Sequence, residues 1–258
     1  MSDASFPDSI SEPTVRPVWH DVIRRFHART GDKVRLTAVT DEGSQRSARR
    51  DTWQSWLSSE ELACLDTFGS EKRRREFIAG RAAARSLLTR RLACDPANVP
   101  LRIAEDGAVD VIPSPDPQSV PVHLSIAHSG PHAVAAISEQ SVGVDLEEIV
   151  PRDAGLERFL MAPGQRGVIS DWPYTRDEAI VLAWTLKEAV LKARRSGFRL
   201  SPKKLHLTLN ETGSEDEERG EATISVEGGT TWRVLFERLR FTEDAGARSF
   251  WCAVGIEN

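Results

Sequence analysis

Four of the nine residues from Pro113 to Pro121 (PSPDPQSVP) are proline. Each fixes its own φ and removes a backbone donor, so neither a helix interior nor a central strand can run through the stretch. The chain is therefore expected to divide there into an N-terminal half, residues 31–120, and a C-terminal half, residues 121–258. Ahead of both, residues 1–30 begin rich in Ser, Asp and Pro and read as a loose segment. At 258 residues the chain is long enough for one large core or two small ones.

In the first half, KVRLTAVT (33–40) alternates as a strand does. Ser58 and Glu61 have the spacing of a capping box before ELACLDTF, Gly69 is placed to end that helix, and a second helix is expected from Ser70 to Leu92. Short strands follow near 99–103 and 108–112. The second half reads as strands VHLSIA, AVAAIS and VGVDLE, a long helix opened by Thr175 and Glu178 and ended near Gly197, then strands LHLTLN, ATISV, WRVLFERL and SFWCAVGI. SEDEERGE reads as a solvated hairpin loop. A small sheet and a helix in each half make an α+β protein, in which a ligand crevice between lobes is expected.

A net charge of -5 argues against a surface that grips nucleic acid indiscriminately. No apolar run reaches bilayer length, and MSDASFPDSISEP has neither a basic nor an apolar leader region. The expectation is a cytoplasmic chain without membrane or nucleic-acid partners. Cys64, Cys94 and Cys252 are odd in number, with no CxxC pair, so neither a disulfide framework nor a zinc site is expected.

The chemistry concentrates in two segments. In VGVDLEE, side chains two apart share a strand face, so Val142, Val144 and Leu146 point one way and Asp145 and Glu147 the other. Like charges that close repel unless solvent or a cation intervenes. A polar outer face explains the pair if the strand stands alone. In WTLKEAVLKA, Trp184, Glu188 and Lys192 recur every four residues and share a helix face. If that helix packs on the acidic strand, Glu188 joins Asp145 and Glu147 in an oxygen-donor set suited to magnesium, which leaves positions for water and substrate phosphates.

Elsewhere, His128 and Ser129 sit at a strand-to-strand turn before Gly130 and Pro131, where imidazole, hydroxyl and backbone N–H groups could receive a phosphate. Arg73, Arg74 and Arg75 read as a solvated helix face. Arg81 and Arg85 border the apolar stripe, where an internal ion pair and a ligand phosphate explain them equally well.

In order, SSEELACLDTF, RRREFIAGRAAARSLL, LSIAHSG, GVDLEEI and WTLKEAVLKA closely resemble the Sfp-type 4′-phosphopantetheinyl transferases. The resemblance implies a pseudo-dimer of two similar α+β halves with coenzyme A, the co-substrate, bound between them. It also implies transfer of phosphopantetheine to a serine of an acyl or peptidyl carrier protein; separately, the chain is expected to be a monomer. By the same pattern Asp145, Glu147 and Glu188 hold magnesium, Glu188 is the candidate base, Lys192 stabilises phosphate charge, and His128 contacts coenzyme A phosphate. The basic stretch KARRSGFRLSPKK could steer an acidic carrier. GAVDVIPS, Ala127 before the histidine, MAPGQRGVI and RRSGFRL depart from the family pattern. Two other readings use the same residues: a magnesium-dependent nucleotide pyrophosphatase that activates water, and a non-catalytic coenzyme A binding protein.

Overall fold

The alternating segments pair as antiparallel sheets in the computed structural model, which describes residues 17–41, 47–105, 107–116, 118–212, 218–243 and 246–258. The helices are α1 (Pro17–Thr30), α2 (Ser47–Ser55), α3 (Ser59–Asp66), α4 (Glu71–Leu92), α5 (Ala154–Leu160) and α6 (Arg176–Ala193). The first sheet has the order β1-β5-β4, from Val34–Thr40, His132–Ser138 and His123–Ser129. The second has the order β6-β10-β9-β8-β7, from Val142–Glu148, Gly246–Glu257, Thr231–Glu243, Arg219–Val226 and Leu205–Thr212. A separate hairpin joins β2 (Leu101–Ile103) to β3 (Val109–Val111).

These elements stack as helix, sheet, sheet, helix. Small residues let α4 lie close on the first sheet, where Ile78, Ala79 and Ala82 meet Ala133, Ala135 and Ile137. The opposite face of that sheet, with Leu36, Ala38, Val134 and Ala136, packs on Val144, Leu146, Phe250 and Cys252 of the second. Beyond it α6 covers the far face, setting Ile180, Ala183 and Val190 against Trp232, Val234 and Trp251. Each lobe is thus an antiparallel sheet with one long helix, an α+β architecture, and the lobes differ in strand number. Both expected capping boxes are present, Ser58 with Glu61 and Thr175 with Glu178.

Two expectations about organisation change. The hairpin β4–β5 was assigned to residues 121–258, yet it pairs with β1 and completes the N-terminal sheet. The prolines mark a loop inside that lobe, from β3 to β4, and the lobes part between β5 and β6. A proline-dense stretch excludes regular structure locally but says nothing about which sheet the next strand joins. The segment 1–30 is also not loose throughout: α1 buries Trp19, Val22 and Phe26 between the two sheets, because these residues follow helical spacing. The stretch MSDASFPDSISEP lies outside the described residues, as do residues 214–217 of SEDEERGE, whose last residues begin β8. Among the described residues no helix is long and apolar enough to cross a membrane.

Candidate active site

The alternation of β6 fixes where its carboxylates go. Val142, Val144 and Leu146 enter the core between the sheets, so Gly143, Asp145 and Glu147 face α6 instead of solvent. A side chain at Gly143 would overlap the Ala189 carbonyl and stand 2.6 Å from the Ala193 backbone nitrogen. Helix and strand therefore touch backbone to backbone at this crossing. The contact brings the helix residues on either side of Ala189, Glu188 and Lys192, to the acidic strand.

Lys192 Nζ lies 2.7 Å from Asp145 Oδ1. Asp145 is 4% exposed, and its Oδ2 is buried without a hydrogen-bond partner. Glu147 accepts from Trp184 Nε1 at 2.9 Å through Oε1 and from Arg152 Nη2 at 3.2 Å through Oε2. Burial, reinforced by the Asp145 charge, raises the Glu147 carboxyl above its ordinary range. Burial first, then Asp145, pushes Glu188 up to about 7, with Lys192 pulling the other way. Beside it Lys187 is wholly buried and donates to the carbonyls of Leu160 at 2.8 Å and Pro202 at 3.0 Å. Desolvation holds its ammonium down to about 8.

The expected carboxylate set is therefore gathered at one crossing, in electrostatic contact. It is not a finished cage: among the described residues no three His, Cys, Asp or Glu side chains stand close enough together to hold a metal ion. Lys192 neutralises Asp145, and Trp184 and Arg152 hold Glu147. The donor chemistry still suits a hard cation, because a buried carboxylate oxygen lacks a partner and two neighbouring carboxyls resist ionisation. Lys192 occupies Asp145 Oδ1 and leaves Oδ2 as the unpartnered oxygen.

A cleft of ≈ 650 Å³ opens between the lobes beside this cluster, with Arg81, His128, Glu188 and Lys192 on its wall. His128 is half-exposed and stands 3.9 Å from Glu76, and burial lowers its affinity for a proton. Arg85 and Ser129, both candidates for coenzyme A contacts, are placed otherwise. Arg85 is 1% exposed, 2.5 Å from Glu61, and donates to the carbonyls of Pro96 and Val99. A guanidinium so enclosed cannot reach a ligand. Ser129 Oγ accepts from the Glu148 backbone N–H at 3.1 Å, tying β4 to β6. Arg81 shares Glu61 at 2.7 Å and lies over the Phe77 ring, so the internal ion pair explains it although it borders the cleft.

Two residues at or beside the cleft were not read from sequence. Glu76, which follows the three arginines directly, lines the cleft and pairs with Lys72 one turn earlier. Arg152, which holds Glu147 beside the cleft, carried no pattern of its own.

Residues 141–244, which include this strand and helix, match the 4′-phosphopantetheinyl transferase superfamily. The 4′-phosphopantetheinyl transferase ffp of Bacillus subtilis is 23% identical over 202 residues, covering 75% of this chain and 88% of that protein. Enterobactin synthase component D of Escherichia coli O157:H7 is 33% identical over 125 residues, 47% of this chain and 55% of its own length. A Synechocystis relative is 30% identical over 150 residues, and the chain spans 60% of that relative's length.

Proposed function

We propose that this chain, which belongs through residues 141–244 to the 4′-phosphopantetheinyl transferase superfamily, transfers the phosphopantetheine arm of coenzyme A to a serine hydroxyl of an apo acyl or peptidyl carrier protein. The observation that carries the reading is the meeting, on the wall of one interlobe cleft, of a carboxyl that keeps its proton up to about 7 with an ammonium paired to a buried aspartate. A group titrating near working pH is suited to accept a proton, and a mobile cation is suited to a phosphate.

The cleft orients the pyrophosphate so that the serine oxygen approaches the phosphorus that bears the pantetheine arm. The new P–O bond forms as the bond to the bridging oxygen breaks, and adenosine 3′,5′-bisphosphate leaves. Glu188 accepts the serine proton. Lys192 exchanges Asp145 for a phosphate oxygen, and His128 supports the same phosphates from the N-terminal lobe. Asp145, Glu147 and Glu188 would hold magnesium, which when bound supplies further neutralisation of pyrophosphate charge. No covalent enzyme intermediate is required, because positioning and charge neutralisation suffice for this class of transfer.

Intact-mass spectrometry of apo acyl and peptidyl carrier proteins incubated with the chain, coenzyme A and magnesium tests the proposal. One added phosphopantetheine per carrier is expected, together with identification of the preferred carrier. Release of free phosphopantetheine with every carrier unmodified would favour the pyrophosphatase reading instead.

A further inference from the structure

The His128 ring is half-exposed on the cleft wall, and its Nδ1 stands 3.9 Å from Glu76 Oε2, beyond hydrogen-bonding distance. Its place is therefore set by the backbone that carries it, the end of β4 and the two-residue turn, Gly130 and Pro131, that leads into β5. One side of that turn is tied within the N-terminal lobe, where the Asp41 N–H donates to the Pro131 carbonyl at 2.8 Å. The other side meets the C-terminal lobe.

There Glu148 makes two ties at once. Its backbone N–H donates to Ser129 Oγ at 3.1 Å, and its carboxylate accepts from the Arg248 guanidinium twice, from Nε at 2.7 Å and from Nη2. That guanidinium lies against Gly130: a methyl group on the glycine would stand 2.9 Å from Arg248 Nη2 and 3.4 Å from Cζ. Gly130 has φ 58°, a backbone that favours glycine, and the absence of a side chain leaves room for the flat group. Ser129, Glu148, Arg248 and Gly130 thus close a ring across the two lobes around the residue that follows His128. Neither Glu148 nor Arg248 lines the cleft, so the pair acts on the turn from behind.

We propose that Arg248, oriented by Glu148, is a positioning residue for the transfer: from the C-terminal lobe it fixes the β4–β5 turn and so sets where the His128 ring stands in the cleft. This rests on the coenzyme A reading above. The bidentate pair holds the guanidinium plane in one orientation, which a lysine ammonium could not do. Because the ring of contacts ties β6 and β10 of one lobe to β4 of the other, it also keeps His128 in register with Glu188 and Lys192 across the cleft.

A double-mutant cycle tests it, with carrier modification measured at varied coenzyme A, well below each variant's melting temperature, for the wild type, Arg248→Met, Glu148→Gln, His128→Ala and the variant that combines Arg248→Met with His128→Ala. Arg248→Met should raise KM for coenzyme A about fivefold or more and change kcat by less than about twofold. Glu148→Gln should act in the same direction but less, because it weakens the hold on the guanidinium and keeps the backbone N–H that serves Ser129. In the His128→Ala background Arg248→Met should raise KM no further, since the residue it acts through is gone. A merely structural pair would lower the melting temperature and leave KM at its wild-type value. If folded Arg248→Met keeps the wild-type KM, or raises it by the same factor with and without His128, the assignment is wrong and the transferase reading stands. Should Arg248→Met not fold, Glu148→Gln alone and with His128→Ala carries the same comparison. If the wild type neither binds coenzyme A nor modifies any carrier, both readings fall together.

Discussion

Glu188 titrates where its two roles meet. Its folded value of about 7 lies above the ordinary 4.5 because burial and Asp145 disfavour the anion. A raised carboxyl works against folding when ionised, so its unfavourable contribution begins above the unfolded value and is complete above the folded one. A ligand that needs the carboxylate must remove the proton below about 7. Binding of coenzyme A with magnesium should therefore strengthen as pH rises from 6 to 8 and release a proton at the lower pH. Calorimetry in buffers of different ionisation enthalpy would count it; a release independent of pH would mean that Glu188 does not join the ligand site. Asp145→Asn should leave the fold largely intact and reduce transfer on the order of a hundredfold or more, read by carrier mass, because Lys192 and the metal lose their shared carboxylate. Arg85→Gln should behave in the opposite way. Removing one partner of its buried ion pair is expected to lower stability by about 3–5 kcal/mol. The folded fraction, however, should bind coenzyme A as the wild type does, which denaturant melts and calorimetry would separate.

At the scale of elements, the crossing of α6 over β6 makes the site, and Gly143 makes the crossing. The backbone contact at Ala189 leaves no room for a methyl group. Gly143→Ala should cost about 1–3 kcal/mol through overpacking. Its activity loss should exceed what partial unfolding explains, because strand and helix must separate where Lys192 reaches Asp145. Transfer measured well below the variant's melting temperature would check this, and wild-type activity there would contradict it. Much of this pairing was legible beforehand: period two in VGVDLEE separates the apolar and acidic faces, and the four-residue spacing of Trp184, Glu188 and Lys192 defines a helix face. What the two periods could not supply was the face opposite. They could not tell solvent from α6, nor that Lys192 neutralises Asp145 and Trp184 donates to Glu147. Arg81 and Arg85 were ambiguous for the same reason. Their partner, Glu61, doubles as a member of the α3 capping box, and only tertiary packing brings it to α4. The position of β4–β5 was misread because strand pairing is non-local while prolines report only local backbone.

For the whole molecule, α1 is what binds the lobes together away from the cleft. Trp19, Val22 and Phe26 fill the core between the sheets, and on another side of the helix Arg25 grips Glu237 of β9, its Nη2 standing 2.9 Å from Oε2. The pair is asymmetric: the Arg25 side chain is 34% exposed, whereas that of Glu237 is 2% exposed. Removing the arginine strands a buried carboxylate, while removing both charges leaves only a neutral group to desolvate. Burial already raises Glu237 despite Arg25, whose hydrogen bonds and charge oppose the rise. Without Arg25 the carboxyl must rise further above its unfolded value. A group so raised destabilises the fold progressively as pH climbs above that unfolded value. Arg25→Met should therefore be only mildly destabilised at pH 5, where Glu237 can stay protonated, and by about 3 kcal/mol or more at pH 8. Glu237→Gln in the same background should remove most of that pH dependence, since a neutral amide needs no cation. Thermal melts of the single and double variants at pH 5 and pH 8 would measure the coupling. If Arg25→Met loses the same stability at both values, the link between α1 and β9 is packing alone; if the loss grows with pH and is restored by the second substitution, a buried charge pair anchors this end of the interlobe core.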